Sequence, residues 1–178
     1  AAWRVLGLVH AEGTDQAFLV EAAGLVAALP PDLPTLLGSR ALLSGDPGLG
    51  PTEAWAKAVA SASGRRLSIV GPDGTVLIDT QVPAWTLENH KGRPEVAKAL
   101  AGTASTAGRP SYTVGASLFY AAAPITASLP GENGPRVVGV LRISADLPGI
   151  ESQVRPPRLA ILLWLLAIIL GVAAAGAL

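Results

Sequence analysis

The chain has 178 residues, half of them apolar and 15% charged, with 13 basic against 13 acidic side chains and no cysteine. That length holds one ordinary domain and an appendage. The even charge excludes the basic face that nucleic-acid binding requires, and the missing cysteines exclude disulfide frameworks, cysteine-based zinc sites and cysteine nucleophiles.

Residues 1–29 carry a helical pattern. Phe18, Ala22, Leu25 and Leu29 share one face, with a weaker stripe of Trp3, Leu6, Val9 and Gly13 upstream. Pro30 and Pro31 stop this helix, which serves either packing or dimerisation. Residues 30–51 are rich in Pro and Gly and predict an irregular connector with room for a short helical turn near Leu36–Leu43. "GDPGLG" lacks the Lys-Ser/Thr that a phosphate loop needs. A helix is predicted over Thr52–Ser63, capped by Thr52 and ended by Gly64.

"RRLSIVGPDGTVLIDT", Arg65–Thr80, predicts a hairpin. Leu67 and Ile69 alternate with Arg66, Ser68 and Val70, and "GPDG" supplies the proline and the positive-φ glycine of a tight turn. Asp73 and Asp79 read as turn and strand-end residues. Gln81–Arg93 predicts a loop, and Pro94–Gly102 a two-turn helix with Pro first and Gly past its end. Strands follow at Thr103–Thr113, Ala116–Thr126 and Pro135–Asp146. The connections are too short for parallel crossovers, so the plan is α+β: a five-stranded antiparallel sheet with a long N-terminal helix and short helices on one side.

Leu159–Leu178 is an uncharged run of 20 residues, about 30 Å as a helix and enough to cross a bilayer core. "RPPR", Arg155–Arg158, anchors its near end, and these arginines alone favour a cytoplasmic domain. A buried core helix is the alternative. The sequence starts without Met and stops within the apolar run, so it reads as a fragment or processed form.

Four segments in order, "RLSIVGPDGTVLIDT", "ENHKGRPEVAKALAG", "LFYAAAPI" and "GVLRISADLPGIESQV", precede that run. Together they resemble the extracytoplasmic sensor domain of bacterial phosphate-regulon-type sensor histidine kinases, and more broadly the PAS-like fold of Cache-type (PDC) sensor domains. The resemblance covers residues 65–178. It implies a dimerisation helix over 1–30, an extracytoplasmic PAS-like sensor domain over 31–155 and a transmembrane helix over 156–178 of a protein in the bacterial cell membrane. The implied function is the signal-sensing input of a two-component kinase, with no catalysis in this chain. The implied partners are membrane lipid, a second copy in a homodimer, a small-molecule or protein signal and, through an absent kinase core, a response regulator; nucleic acid is not among them. ATP and magnesium belong to that core, and this chain holds no cofactor. Pro156-Pro157 interrupts the helical path by which such domains pass a signal to the membrane.

The fold so implied encloses a small pocket between the sheet and the loop–helix segment over it. Candidate liners are Trp85, Glu88, Asn89, His90, Arg93, Tyr112, Phe119 and Tyr120, with His90 and Arg93 suited to an anion. The plainer reading makes Phe119 core, lets Arg93 cap local carbonyls and has "ENH" tie its own loop. His10 and His90 are too few and too scattered for a metal site, and no GxSxG elbow is present. A chemotaxis receptor or cyclase input, a membrane-anchored envelope hydrolase and a passive interaction domain remain the alternatives.

Overall fold

The computed structural model describes residues 2–111 and 116–146, with side chains over 15–108 and 118–145. Four helices, α1 (Ala2–Ala27), α2 (Asp32–Ser39), α3 (Gly50–Ser63) and α4 (Pro94–Leu100), accompany five strands. These are β1 (Arg66–Val70), β2 (Val76–Asp79), β3 (Ser105–Ser111), β4 (Ala116–Ser128) and β5 (Pro135–Asp146). Short 3-10 turns occupy Pro47–Leu49 and Ala84–Thr86.

The strands form one sheet in the order β2-β1-β5-β4-β3, with every neighbouring pair antiparallel. The last strand thus sits at the centre, joining the β1–β2 hairpin to the β3–β4–β5 meander. Leu67 faces Ile143 and Ile69 faces Leu141 across the β1–β5 ladder, while Ala121 faces Ile143 across β4–β5. Pro124 is tolerated in β4 because the β3 ladder has already ended at Ala122, leaving no partner on that side for a missing N–H.

Side-chain alternation gives the sheet two faces, and both are covered. On one face lie Leu67, Ile69, Leu141, Ile143, Phe119, Ala121 and Ile125. There Phe18 of α1 meets Phe119 edge-on, ring centres 5.2 Å apart at 81°. Arg65 stacks over the Phe18 ring at 4.6 Å and reaches Glu21 at 3.2 Å, fixing α1 beside the start of β1. α2 packs here too, since a Cβ on Gly139 would come within 3.0 Å of Leu37. On the other face, Val96 and Ala99 of α4 bury against Val70, Val76, Ala122 and Val140. Each large apolar side chain taken fully from water in this way contributes about 1.5–3 kcal/mol.

This corrects the expectation of helices on one side. The alternation of Arg66, Ser68 and Val70 with Leu67 and Ile69 is real, but all five residues of β1 are buried. On the polar side Val70 packs against α4, and Arg66 and Ser68 are held by the Asp79 carboxylate of β2. Two local expectations also change. The Pro-rich connector contains an eight-residue helix, α2, because Pro31 and Pro34 fall at its N-terminal end, where their missing N–H groups go unused. α3 starts two residues before Thr52, and Leu49 stands at its cap without a side-chain bond; Thr52 is buried in the first turn. Gly64 does end α3, left-handed at φ 67°.

Among the described residues no single helix is long and apolar enough to cross a membrane. The predicted span, Leu159–Leu178, the short helix after Asp146 and Tyr112 lie outside them.

The β1–β2 turn depends on Gly74 at φ 90°. A Cβ there would run into Asn89 Oδ1 and come within 2.6 Å of the Lys91 backbone nitrogen. Gly74→Ala should therefore cost about 1–3 kcal/mol in urea unfolding. A stability equal to wild type would mean that the turn and the loop over it are not packed as described.

Candidate functional site

The α4-facing side of the sheet is a buried ionic surface. Pro94 starts α4, and its second residue, Glu95, points down onto β5. Arg142 Nε donates to Glu95 Oε1 at 3.0 Å, with the two side chains 4% and 0% exposed. The Arg142 guanidinium also lies 3.9 Å from the centre of the Tyr120 ring, on the neighbouring strand. A second pair lies one strand over. Arg66 Nε donates to both oxygens of Asp79, at 3.1 and 2.9 Å. Asp79 further accepts from the Ser68 hydroxyl and from the backbone N–H of Gln81 and Val82. Asp79 is thus more than a strand-end residue: it organises the end of the hairpin from a fully buried position.

Two positive and two negative charges therefore share one buried face, each neutralised by a neighbour from a different element. Such pairs contribute little net stability over apolar replacements, but removing one partner leaves a buried charge and costs several kcal/mol. Their effect is positional: α4 meets the sheet in the one register that places Glu95 over Arg142.

The candidate residues from the sequence are distributed as follows. Trp85 sits on the 3-10 turn after β2 and is 74% exposed. It lines a cleft of about 260 Å³ with Ser44, Val76, Leu87 and Asn89. Asn89 ties its own loop, donating to the Asp73 carbonyl at 3.1 Å and accepting from the Lys91 N–H at 2.8 Å. His90 is buried, and its backbone N–H donates to the Gly74 carbonyl at 2.8 Å. Arg93 occupies the N-terminal cap position of α4, and its side chain reaches the exposed Glu88 at 3.6 Å. Tyr120 lies under Arg142, in the ionic surface. Phe119, its chain neighbour, points to the opposite face against Phe18, so the two aromatics do not share a pocket. Phe119 packs on Phe18, and within "ENH" Asn89 ties the loop through its side chain while Glu88 meets the Arg93 side chain.

Sequence reasoning missed Glu95 and Arg142. The available signal was Arg142 inside the otherwise apolar run "VVGVLRIS", a charge that a central strand accepts only with a partner. Glu95 read simply as an acid in a helix's first turn. Among the described residues no group of three His, Asp or Glu side chains converges on a metal site.

The loop over α4 is anchored through the β1–β2 turn. Asp73 accepts from the Thr75 N–H at 3.0 Å and the Thr75 hydroxyl at 2.8 Å. Burial works to raise the Asp73 pKa, but the Thr75 hydroxyl and N–H, its own N–H and the charge of Lys91 outweigh it and hold the carboxyl below its ordinary value.

No protein-family model matches the sequence, and no curated protein matches it. Solved structures do. The sensor domain of Escherichia coli DcuS superposes with a TM-score of 0.58 at 18% identity, over 80% of this chain and 96% of that one. The ligand-binding domain of the Campylobacter jejuni chemoreceptor Tlp3, in complex with 4-methylisoleucine, gives 0.56 at 12% identity over 82% of this chain and 55% of that one. The Vibrio cholerae histidine kinase DctB sensor domain gives 0.48 at 16% over 86% and 62%.

Two outcomes follow from the geometry. Glu95→Gln should lower stability by about 3 kcal/mol by removing the charge paired with buried Arg142, whereas Glu95→Leu with Arg142→Met should recover most of the loss. Equal costs for the single and double variants in chemical unfolding would contradict a coupled pair. Asp73, with its lowered folded-state pKa, contributes stability in full above its ordinary value near 3.8 and loses it as pH falls through the lower one. Asp73→Asn should flatten that segment of the stability–pH curve, and an unchanged acid limb would refute the assignment. At these identities the likenesses establish the architecture: the described residues have the α+β fold of the DcuS sensor domain, a five-stranded antiparallel sheet with helices on both faces.

Proposed function

We propose that this chain is the signal-sensing input module of a membrane receptor, reading a stimulus outside the cell and passing it to an output domain within. The observation that carries the proposal is the Glu95–Arg142 pair, because it ties the seat of α4 to a buried carboxylate. A signal that offers its own carboxylate to Arg142, or a protein that pulls on the loop before α4, displaces Glu95 and frees the helix. The fold supports this reading. The DcuS structure is a sensor domain, and the Tlp3 structure is a ligand-binding domain in complex with 4-methylisoleucine.

On this reading Tyr120, Arg142 and His90 form the buried part of the signal face. The Trp85–Arg93 loop, with Glu88 and Asn89, is the part that moves with α4, because Arg93 is its cap. Tyr112 belongs to the face by resemblance alone. The two-component kinase output, with ATP and magnesium in its core and a response regulator downstream, rests on the sequence resemblance, as does the finer phosphate-regulon type. The Tlp3 likeness keeps a chemoreceptor output as the second reading. The membrane span over 156–178, the outside position of 1–155 and the domain boundaries have the same basis.

A homodimer is proposed through α1. Its outward side carries Ala17, Val20, Ala23, Gly24 and Ala27, all exposed, and Val20 is 62% exposed. Val20→Cys should cross-link two copies through a disulfide in membranes under mild oxidation, and a cysteine at buried Ala22 should not. Equal cross-linking at both positions would argue against this surface.

The sensory reading is tested by joining the chain to a histidine-kinase core in lipid vesicles and measuring autophosphorylation without added signal. Glu95→Gln and the Glu95→Leu/Arg142→Met pair, each first checked for folding by circular dichroism, should shift the rate about fivefold or more. Wild-type rates in both folded variants would sink the proposal.

A further inference from the structure

The chain has two asparagines, Asn89 and Asn133, and the fold holds them in opposite states. Both atoms of the Asn89 amide are committed. Nδ2 donates to the Asp73 carbonyl at 3.1 Å, and Oδ1 accepts from the Lys91 N–H at 2.8 Å. The backbone N–H that follows, on His90, donates to the Gly74 carbonyl at 2.8 Å. Asn133 stands exposed at the tip of the β4–β5 hairpin, directly before Gly134. Among the described residues, neither the Asn133 amide nor the Gly134 N–H has a hydrogen-bond partner, so both face water. Gly134 takes φ 142°, and a Cβ built on it would meet nothing within 4 Å.

An asparagine carbonyl carbon and the next backbone nitrogen close a five-membered ring when nothing restrains either one. Glycine in the second position leaves that nitrogen open to approach, because it has no side chain. We propose that Asn133 is a site of spontaneous deamidation, which turns a neutral hairpin tip acidic. The Gly134 nitrogen gives its proton to solvent hydroxide and attacks Asn133 Cγ. The N–Cγ bond forms, the bond from Cγ to the side-chain nitrogen breaks, and that nitrogen takes up a proton and leaves as ammonia. Water then opens the cyclic imide at either carbonyl, giving aspartate or isoaspartate, and nothing is oxidised or reduced. The Asp73-Gly74 step is held back from the same ring closure. The Asp73 carboxylate accepts from Thr75, and the Gly74 N–H donates to the Gly71 carbonyl at 3.0 Å.

The new carboxylate arrives next to Glu132, which pairs with Arg136 at 3.0 Å. Arg136 also donates to the Gly38 carbonyl of α2 at 3.0 Å, so the added charge falls where the hairpin meets that helix. The isoaspartate form further lengthens the main chain by one carbon just before the β5 ladder begins at Pro135. None of this depends on the sensory reading.

The test incubates the full chain at mildly alkaline pH and follows both asparagines by peptide mapping with mass spectrometry. Asn133 should convert roughly tenfold faster than Asn89 or more, at a rate that rises with pH, with isoaspartate among the products. Asn133→Gln should remove the acidic species from ion-exchange chromatography. In urea Asn89 should speed up as its hydrogen bonds are lost, while Asn133 should change by less than about twofold. Three results would overturn the site: equal conversion at the two asparagines, aspartate formed without isoaspartate, or a strong acceleration of Asn133 on unfolding, which would mean that the hairpin restrains it.

Discussion

The seat of α4 on the sheet is set by one buried ion pair. α4 is two turns long, too short to hold its position by helix propensity alone. Val96 and Ala99 supply apolar contact, but such contact tolerates a sliding helix. Glu95 does not, because Arg142 lies in the central strand with its other side against the Tyr120 ring. The same contact makes α4 the element most easily released: one competing carboxylate undoes the constraint that a larger apolar interface would spread over many atoms.

The sheet is arranged around that contact. Placing β5 between β1 and β4 puts Arg142 at the centre of the sheet, with Ser68 and Ala122 as its direct neighbours across the two ladders. The opposite face is apolar and clamped by α1 and α2, with Phe18 and Arg65 fixing the junction. One face is therefore a rigid support and the other an ionic surface held by complementary charges. On the sensory reading proposed above, the apolar face is the support against which a change on the ionic face acts.

Much of the fold was legible in the sequence where a local rule decides the outcome. The Pro-Asp-Gly turn, the Pro94 helix start, Gly64 as a stop and the strand Pro135–Asp146 follow from backbone preferences that tertiary contacts did not override. What was not legible depends on contacts distant in sequence. Helices on both faces could not be read from β1, because its alternation gives two faces without saying what covers the polar one. Glu95 and Arg142 are 47 residues apart and look ordinary separately; only their meeting gives them meaning. Around Trp85–Arg93 the sequence shows chemical variety but not which side chains meet. Asn89 serves its own turn, Arg93 stands at the cap position of α4 with its side chain toward Glu88, and Tyr120 of β4 belongs to the ionic surface through Arg142.

Hydrogen exchange at individual amides tests the central claim most directly. The Ala97 and Ala101 amides donate within α4 to the carbonyls of Arg93 and Ala97, and they report on that helix alone. In Glu95→Gln these amides should lose protection by a larger factor than the β1–β5 ladder amides, as expected of a helix that opens without the sheet. Equal loss across α4 and the sheet would show that the pair supports global stability only, and would contradict its role as the contact on which the position of α4 depends.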